Sequence, residues 1–139
     1  MKPKSHTYTP EQLQQFYKRV NFPPKYIRPN VTDASPEEQF DFLCKLQRYT
    51  LCAIPFENLS LHYSPHHSVS IHPDALFSKI VESSGRGGYC MENNALFGTV
   101  LNSLGYTFYS AGARVHTPTG YEGWSHRVNI VTIGREKFF

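Results

Sequence analysis

Cys90 lies in GRGGYCMENN, residues 85–94, between a run of glycines and the start of a predicted helix. Gly85, Gly87 and Gly88 permit tight turns and close backbone approach just before the thiol. A thiol at a helix N-terminus feels the positive end of the macrodipole, which favours thiolate. The unpaired N–H groups of that first turn are placed to receive an oxyanion. Nucleophile and electrophilic cradle therefore coincide. The alternative is a free cysteine packed as a small apolar residue.

A cysteine nucleophile needs a base that takes its proton and returns it to a leaving group. His126, in EGWSHRVNIV, is the best candidate, at the start of a predicted strand and behind a glycine-containing loop. Its bland alternative is a strand-end histidine bonded to backbone. The other six histidines are His6 in the N-terminal tail, His62, His66, His67 and His72 in one polar stretch, and His116 at a strand end. They lack regular ligand spacing, and Cys44 and Cys52 are read as facing a helix core, so no metal site is expected. Glu57, in IPFENL, and Arg86 form a candidate ion pair that fixes the glycine loop; otherwise they are independent surface charges. Glu92 falls on the first turn of the cysteine's helix. There it would oppose a thiolate if it faced Cys90, so it is expected to turn away and bond structurally.

These residues need a scaffold. A chain of 139 residues can bury a real core. With 40% apolar and 18% charged residues it reads as globular, not disordered. The net charge of +3 is spread along the chain, with no basic run suited to nucleic acid. Three cysteines without a CxxC pair argue against a disulfide framework and for a reducing compartment. MKPKSHTYTPEQ has no apolar signal core, and no run is long enough for a membrane span. A cytoplasmic protein is the expectation.

Thr9-Pro10-Glu11 starts a helix bearing Leu13, Phe16, Tyr17 and Val20 on one face. NFPPKYIRPN breaks it. Ser35-Pro36-Glu37-Glu38 starts a second helix with a capping box, its buried side read as Phe40, Leu43, Cys44 and Leu51, interrupted by Gln47 and ended at Pro55. Residues 62–73 form a polar loop or short extended segment. Pro73-Asp74 opens a third helix with Leu76, Phe77, Ile80 and Val81 inward. Leu96, Phe97, Val100, Leu101 and Leu104 define a fourth, closed by Gly105. The period then changes: YTFYSAGARVHT and SHRVNIVTIG read as strands, PTGYEG as the turn region between them, and REKFF as the opening of a third. Helices followed by strands predict an α+β fold with segregated parts: a helical unit over 1–104 carrying the nucleophile loop, and the start of a sheet domain over 105–139.

In this order, IPFENL, GRGGYCMENN and SHRVNIV resemble the arylamine N-acetyltransferase family, the spellings PFENLSLHYS and RGGYCMENN being most similar to its fungal members. The resemblance runs from about the second helix to Phe139. It implies a helical bundle, the first strands of an antiparallel β-barrel and a cysteine-protease-like arrangement in which a Cys-His-Asp triad lies between them. Cys90 and His126 match the family's cysteine and histidine, and Glu57 and Arg86 match its charged pair supporting the cysteine loop. The implied reaction moves an acetyl or other short acyl group from acyl-CoA to an arylamine or arylhydrazine, with no permanently bound cofactor. Phe56 and Tyr89 are candidates to line the acceptor pocket, although core packing is the favoured reading of Phe56. The family's aspartate lies in a VDVGFG-like strand just after a segment like REKFF. The chain is therefore expected to be a partial member that needs its C-terminal half, the alternatives being a non-catalytic fragment or a cysteine hydrolase. Glu136, in a predicted turn, is not a convincing replacement.

Overall fold

The computed structural model describes residues 6–83 and 85–139. Part of the stretch read for a leader, residues 1–5, lies outside the described residues, as does Ser84 within the glycine-rich segment.

Three proline-opened helices build the first part. Helix α1, Pro10–Arg19, is capped by Thr9, whose hydroxyl accepts from the Gln12 N–H while Gln12 returns a bond to the Thr9 N–H. Helix α2, Pro36–Ala53, carries the expected Ser35–Glu38 capping box. A short helix α3, Leu59–Tyr63, follows IPFENL. Pro73 opens α4, Pro73–Leu76, which widens into a π-helical turn over Phe77–Glu82, where the Ser83 N–H reaches back five residues to the Ser78 carbonyl. A single regular helix was expected there. Helix α5, Cys90–Ser103, then runs through the core and ends at Gly105, whose φ of +86° suits a residue without Cβ.

The buried stripe of α2 differs from the sequence reading. Phe42, Leu43, Leu46 and Thr50 face the core, whereas Leu51 is 73% exposed and Cys44 and Cys52 are exposed free thiols. The sequence holds two overlapping apolar faces that share Leu43, and periodicity cannot choose between them. The second face is not idle: Phe40, Leu43, Cys44 and Gln47 line an apolar groove of about 380 Å³ between α2, α5 and the sheet.

The sheet is antiparallel and open, in the order β1 (Thr107–Thr117), β2 (Gly120–Ile133), β3 (Glu136–Phe138). Only Pro118 and Thr119 separate the first two strands, so most of PTGYEG is strand rather than turn. Val131 and Ile133 join Leu96, Val100, Leu101 and Leu104 in the core, together with Phe16, Leu46, Leu76 and Ile80. Helices and an antiparallel sheet thus occupy successive parts of the chain, the α+β arrangement expected; among the described residues the sheet does not close into a barrel.

Candidate active site

IPFENL and the glycine loop are joined by backbone. Phe56 and Gly88 form an isolated parallel bridge, the Glu57 N–H donating to the Gly88 carbonyl at 3.0 Å and the Gly88 N–H to Pro55 at 3.3 Å. Side chains reinforce it. The Glu57 carboxylate accepts from Arg86 Nε at 3.1 Å, the Gly87 N–H at 3.3 Å and the Leu59 N–H at 2.7 Å, while Arg86 also donates to Ser60 Oγ. Burial pulls the Glu57 carboxyl up, but these hydrogen bonds and the Lys79 charge outweigh it and hold it below the usual carboxylate range. The glycines are required for space: a Cβ on Gly87 would sit 1.9 Å from the Pro55 carbonyl oxygen, and one on Gly88 would sit 2.6 Å from Glu92 Cβ.

Cys90 is the first residue of α5 and 4% exposed. Its thiol donates to the Ser125 carbonyl at 3.5 Å, which sets β2 beside the helix N-terminus at the residue preceding His126. Among the described residues the Cys90 and Met91 N–H groups form no hydrogen bond, so both donors are open for an oxyanion. Two asparagines stitch α5 to β2: Asn94 Nδ2 donates to the Arg127 carbonyl and Asn129 Nδ2 to the Asn94 carbonyl, each at 2.8 Å.

His126 lies within β2, opposite Ala113 and beside a register irregularity, not at the strand start expected. Its imidazole is half-buried, and among the described residues it hydrogen-bonds neither to Cys90 nor to a carboxylate. Glu136 opens β3 opposite Ile133, seven positions along β2 from His126. That is roughly 23 Å of strand, so Glu136 cannot orient the ring. Phe56 is 70% exposed, against the packing read from the sequence, because its backbone pairs with Gly88 while its ring points outward; Tyr89 is half-buried.

Glu92 does turn from solvent into structure, 1% exposed, accepting Lys79 Nζ at 2.6 Å and the Tyr89 N–H at 3.3 Å. Two further residues escaped the sequence reading. Lys79 stands on the π turn. Arg19, at the end of α1, donates to the carbonyls of Ile80, Ala53 and Arg86, tying that turn, the end of α2 and the glycine loop together. Carbonyl acceptors leave no mark in a sequence. For Lys79 the only signal was a carboxylate in the first turn of an apolar helix, in need of a cation.

A thiol at a helix start, unpaired backbone donors beside it and a histidine-bearing strand tied to that helix by side-chain-to-carbonyl bonds sit in a fold of helices followed by an antiparallel sheet. The N-acetyltransferase family pattern matches residues 39–139. The chain belongs to the arylamine N-acetyltransferase family. It is 36% identical to the N-malonyltransferase FDB2 of Gibberella moniliformis over 93% of its own length and 43% of that protein, and 31% identical to the pineal gland isozyme NAT-3 of Gallus gallus over 76% and 32%. The arylamine N-acetyltransferase structure from Mycobacterium abscessus superposes with a TM-score of 0.72 at 31% identity, covering 91% of this chain and 40% of that one. The chain thus spans less than half the length of these relatives.

Proposed function

We propose that this chain carries the nucleophile-bearing part of an acyltransferase that moves a short acyl group from acyl-CoA to an aromatic amine or hydrazine. The observation that carries the reading is Cys90 at the N-terminus of α5, its Sγ 3.5 Å from the carbonyl of Ser125, next to His126. The Cys90 thiolate attacks the thioester carbonyl, with the Cys90 and Met91 N–H groups facing the oxyanion. The bond to coenzyme A breaks, and the proton held by His126 goes to the departing thiolate. The amine then attacks acyl-Cys90, gives its proton to His126 and releases the cysteine. Glu57 and Arg86 hold the loop. Acetyl and malonyl groups are the donors to compare, given the names of the relatives. No resident cofactor is required. Three free thiols, two of them exposed, favour a reducing, cytoplasmic setting, and aromatic-amine acceptors would place the enzyme in xenobiotic metabolism.

The test is peptide mass mapping after incubation with acetyl-CoA or malonyl-CoA. Acylation of the Cys90 peptide is expected, with loss on adding an aromatic hydrazine and absence in Cys90→Ala. Label that leaves equally fast in buffer alone would favour a hydrolase. A second reading, a partial chain that binds but does not turn over, is favoured by the lack of an acid on His126 among the described residues; it predicts no acyl-Cys90 at all.

A further inference from the structure

Glu92 is the most completely buried acid in the site, at 1% exposure, and it stands in the first turn of the helix that Cys90 begins. Burying a carboxylate is costly unless a close counter-charge faces it. Lys79 supplies it. Its ammonium lies 2.6 Å from Glu92 Oε1 and 3.9 Å from Glu57 Oε1, with only 18% of its side chain exposed. The residue sits on the π turn, a departure from regular helix often found beside functional sites. The turn is anchored by Arg19 through the Ile80 carbonyl.

We propose that Lys79 is a positioning residue for Cys90: it neutralises Glu92 and bridges it to Glu57, so that the glycine loop is held without leaving an uncompensated negative charge beside the thiolate. The inference rests on the assignment of Cys90 as nucleophile. The charged and titratable groups on the elements that meet at the glycine loop and the first turn of α5 are Glu57 ahead of α3, Arg86 and Tyr89 on the loop, Lys79 on the π turn, Glu92 on α5 and, one residue beyond the carbonyl that the thiol bonds, His126 on β2. Two cations, Lys79 and Arg86, face two carboxylates, Glu57 and Glu92, and removing one cation leaves an excess negative charge. The Tyr89 hydroxyl registers the same neighbourhood: burial raises it, and the charges of Cys90 and Glu92 raise it further.

The test uses the 139-residue chain with the exposed Cys44 and Cys52 changed to Ser, so that Cys90 is the only thiol. The rate of Cys90 alkylation by iodoacetamide is followed against pH. Lys79→Met is expected to move the profile to higher pH and to slow the neutral-pH rate roughly tenfold. Glu92→Gln is expected to move it the opposite way. The double variant Lys79→Met/Glu92→Gln, and Lys79→Arg alone, are expected to return close to the parent. Opposite shifts that cancel are a charge effect, which a merely structural lysine would not produce. If Lys79→Met fails to fold, the Glu92→Gln shift and its reversal in the double variant decide the matter. Profiles that coincide, or that move the same way in both single variants, overturn the proposal while leaving the nucleophile in place. Absence of acyl-Cys90 in the mass mapping would instead speak against Cys90 acting as a nucleophile in this chain, the outcome that the partial-chain reading predicts.

Discussion

Glu57 shows how one side chain converts position into pH dependence. Its carboxyl is held below its ordinary range, so the unfolded chain binds the proton more readily than the folded one. Its contribution is complete above the ordinary carboxylate value, about 4.3, and is lost as pH falls through the lower folded value. With the Glu57 side chain 13% exposed, Glu57→Gln should cost about 1–3 kcal/mol at neutral pH and flatten the acid limb of the stability curve. Thermal unfolding of both proteins between about pH 6 and pH 3 checks this; a deficit that stays constant across that range would contradict it. Arg86, with 38% of its side chain exposed, is screened more, and Arg86→Ala should cost nearer the 1 kcal/mol, roughly, of an exposed pair. At this scale a sequence shows residue types but not their partners. Glu57 and Arg86 could be paired in advance because each sits in a motif, whereas Lys79 and Arg19 look like ordinary helix-surface cations.

At the scale of elements, the segments with local chemical signals were the legible ones. Thr9 and Ser35 announce their helices through hydroxyl caps, Gly105 ends α5, and the change to β-branched residues after Tyr106 marks the sheet. The π turn was not legible, because Leu76, Phe77, Ile80 and Val81 suit a regular helix equally well and tertiary bonds select the wider turn. Nor was the length of β2, where Gly120 and Gly123 read as turn residues yet lie in strand. The glycine loop offers a prediction that separates two uses of one residue type. Gly85 has φ +76° and open space, so Gly85→Ala meets a conformational cost of about 1–2 kcal/mol. Gly87 has no positive φ, but its added Cβ would strike the Pro55 backbone, so Gly87→Ala must push IPFENL away from the loop at a cost of roughly 3 kcal/mol or more. Urea unfolding midpoints should therefore fall further for Gly87→Ala. Equal losses would mean that the pairing between Pro55 and Gly88 is not the constraint.

For the whole molecule, two surfaces and one missing bond point the same way. The groove lined by Phe40, Leu43, Phe97, Val131 and Phe138 is apolar and open, and the far edge of the 11-residue strand β1 has no neighbouring strand among the described residues. Tyr109, Val115 and Tyr121 are exposed along the same hairpin, with Trp124 at 76%. Unpaired edges and contiguous apolar surface favour association. His126 meanwhile has no carboxylate bonded to its ring among the described residues, so the base proposed for Cys90 lacks the acid that would fix its tautomer and orientation. The 139-residue chain by itself is therefore expected to form species larger than a monomer as concentration rises, and to turn over acyl-CoA on the order of 10⁴-fold more slowly than a relative with an intact triad. Sedimentation velocity over a concentration series, read beside coenzyme A release in the presence of an aromatic amine, measures both. Phe138→Lys, at the groove and on the short edge strand β3, should shift the distribution toward monomer without restoring turnover. A monodisperse monomer that turns over at full rate, and loses that activity in Cys90→Ala, would show that His126 works without a bound acid and that the open sheet edge is harmless in solution.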